Sequence, residues 1–272
     1  MFTIRQFLPV VLVVGHVAAQ KCNLQFNGRV PKDFAPTEFD DDNGIFDPRF
    51  VKGKVSKFDV NSVPITVTIN DSSIFAPSDD NVQTGFRRAE VLPASNDGAD
   101  DSTRGIKTLH FSVAKDPGRP LNFSHEYQLA FLESADYSTN QFVLKTGTIL
   151  GHQGNASGTL QLYGNVNDGE LLFWTPFEDL VVHNFALTLD FESLTTQVFY
   201  SQDSSALEPK TDAIPNDVSG QGQFHFGILK KPTGTFDDIT KEGYQPSGID
   251  EGILYGGIFQ EDSSDGCISL EP

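Results

Sequence analysis

Residues 125–132 read HEYQLAFL, and the spacing of their apolar side chains decides the fold class. The side chains of a β-strand alternate between two faces, and here every second residue from Tyr127 onward is large and apolar. So short a run with this alternation predicts a half-buried strand and not a helix. The predicted core face holds Tyr127, Leu129 and Phe131, and the opposite face holds Glu126, Gln128 and Ala130.

Similar runs follow one another along the chain, separated by clusters of Gly, Asn, Asp, Ser and Pro. No window keeps the i, i+3, i+4, i+7 spacing of a capped amphipathic helix, so helices are expected to be few and short. The 23 phenylalanines lie mostly inside these runs and can fill a core between two sheets. The chain is therefore predicted to be all-β, with two antiparallel sheets. The predicted strands are Val63–Ile69, Gly85–Leu92, Lys107–Val113, His125–Leu132, Gln141–Thr146, Thr159–Tyr163, Leu171–Trp174, His183–Phe191, Thr196–Tyr200, Gln223–Leu229 and Ile253–Phe259.

Length and charge limit the number of domains and the class of partner. The 272 residues contain no internal repeat and no long linker, which suits a single all-β domain. The net charge of −18 disfavours nucleic acid, anionic lipid and polyanionic polysaccharides. A neutral polymer is easier to accommodate, so neither a nucleic-acid nor a membrane partner is expected. A monomer is taken as the default.

The first residues of the chain resemble a secretory signal peptide. Arg5 precedes the apolar run Phe7–Val14, and Val17–Ala19 supplies the small residues of a cleavage site. The run is too short to span a bilayer. We predict a signal peptide at residues 1–19, a mature domain at residues 20–272 and a secreted, extracellular protein.

The two cysteines, Cys22 and Cys267, lie at opposite ends of the predicted mature chain. In an oxidising compartment one disulfide between them is expected, with free thiols or an intermolecular bond as the alternatives. Asp40–Asn43 resembles a calcium loop only loosely, so a solvated turn is favoured there. No metal or cofactor motif is found, and neither group is expected. Three sequons predict glycosylation at Asn70, Asn122 and Asn155.

Four predicted strands carry polar side chains on the face opposite their core face. An arginine beside a carboxylate, as in Arg88–Glu90, is costly in a core but natural in a polar cleft. Each pair taken alone is typical of a solvated face, whereas the agreement of four strands favours a site on one curved sheet. The polar pairs are Arg88 with Glu90, Glu126 with Gln128, Gln141 with Lys145, and Gln223 with His225.

Two carboxyl groups in one cleft are what the hydrolysis of a glycosidic bond requires. Arg88 would lower the pKa of Glu90 and keep it ionised, so Glu90 is predicted as the base and Glu126 as the proton donor. Glu133 falls on the core side by alternation, unless it lies beyond the end of its strand. Sequence leaves the strand order, and with it the stereochemistry, open. Candidate sugar platforms, each also typical of a core or a rim, are Trp174, Tyr137, Tyr163 and Tyr244.

Six longer segments can be compared with known families as motifs. They read NVQTGFRRAEVLP (81–93), KTLHFSV (107–113), SHEYQLAFLES (124–134), NQFVLKTGT (140–148), SGQGQFHFGILKKPTG (219–234) and EGILYGGIFQEDSSDGCISL (251–270). From about Phe26 to Leu270 the chain resembles fungal glycoside hydrolase family 131. The resemblance implies a β-jelly-roll catalytic domain with its substrate groove on the concave sheet. It also implies activity on β-1,3-, β-1,6- and β-1,4-linked glucans in the degradation of plant cell walls.

The resemblance also suggests which residues act. Family members look like inverting enzymes in which two glutamates and a histidine line the concave sheet. The first glutamate matches Glu90 and the histidine matches His225. The second glutamate matches Glu126, with Glu133 as the alternative. Nothing in the chain resembles the cellulose-binding module of some members. Substrate contacts are expected from the polar side chains of the cleft, Arg88, Gln128, Gln141, Lys145 and Gln223.

Two other functions remain open on the sequence. The expected fold also resembles that of alginate and glucuronan lyases, whose grooves contain an Arg-x-Glu motif and a Gln/His pair. Such a lyase would act on a uronate polymer through Arg88 and His225. A jelly roll can also bind a glucan without cleaving it, as lectins do.

Overall fold

The computed structural model describes residues 22–34, 59, 61–93, 100–151, 154 and 156–271. The predicted signal peptide, the segment 40–43 and Asn155 lie outside the described residues. Within the described ranges there is no α-helix, and a single turn of 3-10 helix, Asp101–Thr103, interrupts the strands. No helix there is long and apolar enough to cross a membrane. The prediction of an all-β chain is confirmed.

Each predicted strand is present, with ends that differ by a few residues. Several short strands were not predicted, and the last strand is longer than expected. In chain order the strands are β1 (Leu24–Asn27), β2 (Val30–Pro31), β3 (Ser62–Val63), β4 (Ile65–Asn70), β5 (Arg87–Val91), β6 (Ile106–Lys115), β7 (Glu126–Glu133), β8 (Asn140–Gly147), β9 (Thr159–Tyr163), β10 (Leu171–Pro176), β11 (His183–Asp190), β12 (Thr195–Gln202), β13 (Glu208–Pro209), β14 (Ile214–Pro215), β15 (Gln223–Lys230) and β16 (Asp250–Asp262).

The strands form two large antiparallel sheets, as predicted, and one small pair. The eight-stranded sheet follows the order β1-β16-β6-β11-β12-β13, with β4 paired to β16 and β14 paired to β12. The six-stranded sheet follows the order β10-β9-β8-β7-β15-β5, and β2 pairs with β3. Strands β7 to β10 are neighbours in sequence, whereas β5 and β15 come from distant parts of the chain. The position of β15 between β7 and β5 therefore depends on pairing between distant parts of the chain.

The core lies between the two large sheets. In β15 the alternate residues Phe224, Phe226 and Ile228 are buried in it, on the face opposite the predicted polar pair Gln223 and His225. Burying each such side chain stabilises the fold by about 1.5–3 kcal/mol. Tyr255 of β16 reaches across the core, and its hydroxyl lies 2.8 Å from the carbonyl oxygen of Gly227. We call the opposite face of the six-stranded sheet, which carries His225, the outer face.

An extra residue in β7 changes which of its side chains face the core. Between Gln128 and Ala130, β7 advances by two residues while its partner β8 advances by one. Leu129 and Ala130 are consequently both buried in the core. Phe131 packs instead on the outer face, in a separate cluster with Val143. Phe131 was predicted on the core face and Ala130 on the opposite face, and both predictions are wrong. Strict alternation holds only where the two paired strands advance together, and here they do not.

A disulfide between Cys22 and Cys267 joins the two ends of the described chain, as predicted. The two Cα atoms are 5.6 Å apart and the residues are separated by 245 positions. On chain-entropy grounds, closing so long a loop stabilises the fold by up to about 5 kcal/mol.

A buried ion pair connects the two sheets at one end of the core. Nζ of Lys230 in β15 lies 2.6 Å from Oε1 of Glu251 in β16, and the hydroxyl of Tyr127 donates to Oε2 of Glu251 at 2.8 Å. Glu251 is itself buried, with 6% of its surface exposed. Burial lowers the pKa of Lys230, while the Glu251 carboxylate acts in the opposite direction. Each charge therefore depends on its partner for stabilisation.

Two of the predicted glycosylation sites lie in the described chain. Asn70 ends β4, and Asn122 is exposed in the loop before β7. In each sequon the amide oxygen accepts a 2.8 Å hydrogen bond from the serine hydroxyl two residues later. Glycosylation at these positions stays a prediction.

Candidate functional site

Glu90 and Arg88 share one face of β5, the edge strand of the six-stranded sheet. Nε and Nη2 of Arg88 lie 3.0 Å and 2.6 Å from the two carboxylate oxygens of Glu90. Burial by itself would raise the pKa of Glu90. The hydrogen bond from His225 and the charge of Arg88 outweigh burial and hold that pKa below its usual range. Glu90 is therefore an ionised carboxylate.

His225 lies between Glu90 and a second carboxyl group, that of Glu133. Its Nδ1 is 2.9 Å from Oε2 of Glu90, and its Nε2 is 3.4 Å from Oε2 of Glu133. The imidazole stacks on the ring of Phe131, with centroids 4.4 Å apart, which orients the ring plane. Burial would lower the pKa of His225, but its contacts with Glu133 and Glu90 raise it. The three side chains form one array across β5, β15 and β7.

Glu133 was predicted on the core side of its strand, and this prediction is wrong. The extra residue at Leu129 shifts the alternation, so the side chain reaches His225 on the outer face. About a quarter of the side chain is exposed (25%), which leaves the carboxyl group accessible to a substrate. One signal was present in the sequence: the four consecutive apolar residues 129–132 do not fit strict alternation.

Glu126 lies at the opposite end of β7, in a different cluster. At about 3.3 Å per residue, the strand separates it from Glu133 by roughly 20 Å. Its Oε1 is 2.7 Å from Nζ of Lys231 and 3.3 Å from Nζ of Lys145, and its Oε2 accepts a hydrogen bond from the amide of Leu150. Burial would raise the pKa of Glu126, but these partners hold it below its usual range.

The surroundings of Glu126 bear on its predicted role as proton donor. A general acid must bring its carboxyl group within hydrogen-bonding reach of the leaving oxygen. The carboxyl group of Glu126 is fully buried and enclosed by two lysine ammonium groups, whereas the side chain of Glu133 is 25% exposed and lies beside His225. The geometry therefore favours Glu133 over Glu126 as the second acid.

Gln141 holds a loop on the outer face. Its Nε2 donates to the carbonyl of Gln221, and its Oε1 accepts from the amide of Gly220 at 2.8 Å. The side chain is fully buried. This loop leads into β15, so Gln141 helps to position the strand that carries His225. With both ends of the amide engaged, the placement of Gln141 does not support the predicted substrate contact.

The other predicted substrate contacts differ in access. Lys145 is bound to Glu126, and burial lowers its pKa while Glu126 opposes this. Gln128 is nearly buried, with 8% of its surface exposed. Gln223 is partly exposed and lies opposite Glu133 in the register of β15 and β7. Gln223 is thus the best placed of the three to contact a substrate near the acids.

Comparison with known proteins identifies the family of the chain. A family model described as the glycoside hydrolase 131 catalytic N-terminal domain matches residues 24–266. The chain belongs to glycoside hydrolase family 131. The matched region contains Glu90, Glu133 and His225, so the array described above lies within a glycoside hydrolase catalytic domain. No curated protein matches the chain.

Two solved structures of family 131 share the fold of this enzyme. The first, a β-glucanase catalytic domain from Podospora anserina, has a TM-score of 0.64 and 21% identity, over 82% of this chain and 80% of that one. The second, the catalytic domain of a family 131 protein from Coprinopsis cinerea, has a TM-score of 0.65 and 18% identity, over 92% and 98%. The predicted fold class, a β-jelly roll of antiparallel sheets, is confirmed.

Gly227 is a residue beside this candidate array that sequence analysis did not single out. It faces Glu90 across the ladder between β15 and β5. A Cβ atom at this position would lie 2.6 Å from Cα and 2.8 Å from Cγ of Glu90. Only glycine leaves space for the carboxylate to lie over β15. Its position two residues after His225, on the same face, was the available signal, since a glycine inside a strand often marks a close approach.

The candidate sugar platforms of the enzyme fall into two groups. Tyr163 is almost fully buried, with 4% exposed, in the outer-face cluster that contains Phe131. The other three expose more than half of their surface, and their side chains are available to a ligand: Trp174 (51%), Tyr137 (76%) and Tyr244 (62%).

Proposed function

We propose that this enzyme hydrolyses β-glucans with inversion, with Glu90 as the general base and Glu133 as the proton donor. The observation that carries the proposal is the imidazole of His225, which contacts both carboxyl groups. Membership of family 131 supports a glycosidic substrate. The β-glucanase activity named for the Podospora anserina relative suggests the glucan.

The spacing of the two acids favours inversion. They come from β5 and β7, which are two strand spacings or about 10 Å apart because β15 lies between them. Retaining enzymes hold their carboxyl groups ~5–5.5 Å apart, too close for an imidazole that contacts both from between them. Inverting enzymes use ~6.5–9.5 Å, which leaves room for the attacking water.

The surroundings of each acid suggest its role. Arg88 and His225 keep Glu90 ionised, so Glu90 can take a proton from a water molecule as that water attacks the anomeric carbon. Glu133 is the more exposed carboxyl group and can reach the leaving oxygen, to which it would donate its proton. His225, with its raised pKa, holds a positive charge against Glu90 and keeps the base oriented. The cleavage consumes one water molecule and leaves Glu90 protonated and Glu133 ionised. Glu90 then loses its proton to solvent and Glu133 gains one, which restores the starting state.

We extend the proposal to linkage and location. The sequence resemblance suggests β-1,3, β-1,6 and β-1,4 linkages and a role in plant cell-wall degradation. The net charge of −18 suits a neutral glucan. A secreted, extracellular protein is proposed from the predicted signal peptide, and a monomer stays the default.

Incubation with laminarin, lichenan and polyglucuronate separates the proposed function from its alternatives. New reducing ends without absorbance near the unsaturated-uronate band would support hydrolysis. Nuclear magnetic resonance of the first products should show the α-anomer if the reaction inverts. An unsaturated product would identify a lyase instead, and binding without new ends would identify a lectin. The bidentate engagement of Arg88 by Glu90 argues against the lyase, which needs that guanidinium for a uronate.

A further inference from the structure

We propose that Trp174 is a sugar-binding platform at the far edge of the six-stranded sheet. It would stack on a glucan chain whose scissile bond lies at Glu90 and Glu133. This inference rests on the proposed function and adds a binding site remote from the acids. Such a platform would make the activity depend on the length of the glucan chain.

The direction of the Trp174 side chain follows from its neighbours in β10. The ring of Phe173 packs 5.2 Å from that of Tyr200, and Oγ1 of Thr175 lies 3.4 Å from the Tyr200 hydroxyl. Both neighbours thus point toward the core. Alternation places the indole on the other side, which is the outer face that carries His225. There 51% of Trp174 is exposed.

The register of the sheet places Trp174 far from the acids. Strands β9, β8 and β7 separate β10 from β15, which puts the indole about 19 Å from the strand of His225. Trp174 pairs with Gln161 of β9, two residues from Tyr163. Tyr163 pairs with Val143 of β8, and Val143 pairs with Phe131 of β7. Phe131 in turn stacks on the imidazole of His225. A disaccharide bound at the acids cannot reach the indole, whereas a longer chain lying across the strands can.

The side chains between the two places are packed against one another. Phe131, Val143 and Tyr163 form an apolar cluster on the outer face, and Lys145 and Gln161 lie beside it. All five are at most 7% exposed, so the contact with a sugar ring is expected from the exposed indole and not from them. Pyranose rings have apolar C–H faces and hydroxyl edges, and an indole offers a large apolar face with an N–H at its edge. A glucan chain that extends from the acids across the strands is the occupant that we propose.

Trp174 allows a direct test because it is the one tryptophan in the chain. Intrinsic fluorescence therefore reports on this position alone. The Glu90→Gln variant would be titrated with cello- and laminari-oligosaccharides from the disaccharide to the octasaccharide. We expect the fluorescence to change only with chains long enough to span from the acids to the indole.

Kinetics provide a second, independent measurement. The Trp174→Ala variant should lower the ratio of kcat/KM for a long glucan to that for a trisaccharide by about tenfold, mainly through KM. Trp174→Phe, which keeps an aromatic face, should retain most of the ratio. Leu24→Ala is the matched control, because Leu24 is 49% exposed but lies on β1 of the other sheet. This control should leave the ratio unchanged.

The outcomes separate this proposal from the proposed function. Hydrolysis of long glucans without a length-dependent fluorescence change would overturn the role of Trp174 alone. An equal change with the disaccharide and the octasaccharide would contradict a remote platform as well. Absence of hydrolysis would overturn the proposed function, while the fluorescence titration would still decide whether Trp174 binds the chain.

Discussion

Nδ1 of His225 lies 2.9 Å from Oε2 of Glu90, and each side chain is only 6% exposed. The two residues come from β15 and β5 and are 135 positions apart in the sequence. Water screens such a contact poorly, so the charge state of each group depends strongly on the other. Folding therefore brings together an acid and a base whose pKa values move in opposite directions.

Replacing His225 by Gln should reduce stability most between pH 4.5 and 6.5, the ordinary pKa values of the two groups. The pKa of Glu90 is lowered, so its contribution is present above 4.5 and is lost as pH falls through the lowered value. The pKa of His225 is raised, so its contribution is full below 6.5 and is lost as pH rises through the raised value. Thermal unfolding of both proteins at about pH 3 to 9 measures the difference in Tm. A difference that does not vary with pH would contradict the pairing.

Glu133→Gln should lower kcat by about 10²–10⁴-fold, because the amide cannot donate a proton to the leaving oxygen. Glu90→Gln should cause a comparable loss through the missing base. Both variants should still bind glucan and unfold cooperatively, which isothermal titration calorimetry and thermal unfolding would check. Activity close to wild type in either variant would remove that residue from the mechanism.

Glu126→Gln should act on stability instead of turnover. It would leave Lys145 and Lys231 without their shared counter-charge, at a cost of about 3 kcal/mol. Denaturant unfolding measures this loss, and kcat per folded molecule should stay within a few-fold of wild type. A folded but inactive Glu126→Gln beside an active Glu133→Gln would restore Glu126 as the proton donor.

Gly227→Ala should displace β5 and with it Glu90. The added Cβ would lie 2.6 Å from Cα of Glu90 and in contact with the carbonyl oxygen of Ala89. Overpacking of this kind costs about 1–3 kcal/mol, and a shift of ~1 Å in a catalytic group costs about a hundredfold in rate. Gly158→Ala is the control, since a Cβ there meets nothing within 4 Å. Equal activity of the two variants would show that Gly227 does not position the base.

Glu251→Gln should destabilise the fold by about 3–5 kcal/mol, because Lys230 would remain buried without its partner. Lys210 and Glu208 form an exposed pair at 2.8 Å and provide the control. Glu208→Gln should leave the free energy of unfolding nearly unchanged, because solvent screens that pair. Denaturant titration of both variants measures the contrast. Similar losses would mean that burial does not set the strength of the Lys230–Glu251 pair.

The sequence by itself determined the strands and most of their faces. Phe142 in β8 and Phe224 in β15 lie in the core, opposite the polar faces that the sequence predicted for these strands, and Arg88 and Glu90 share a face. These features follow from the alternation of successive side chains between the two faces of a strand, which does not depend on the neighbouring strands. The disulfide of Cys22 followed as well, because the chain contains only one other cysteine.

Only the tertiary structure decided which second carboxyl group meets His225. Glu133 reaches the outer face because β7 and β8 advance unequally at Leu129, which is a property of the pairing between two strands. Glu126 has the predicted direction, but Lys231, from a distant part of the chain, binds its carboxylate. The position of β15 between β7 and β5 is also a result of long-range pairing. Local alternation carries no information about which strands become neighbours, and the second acid depends on that choice.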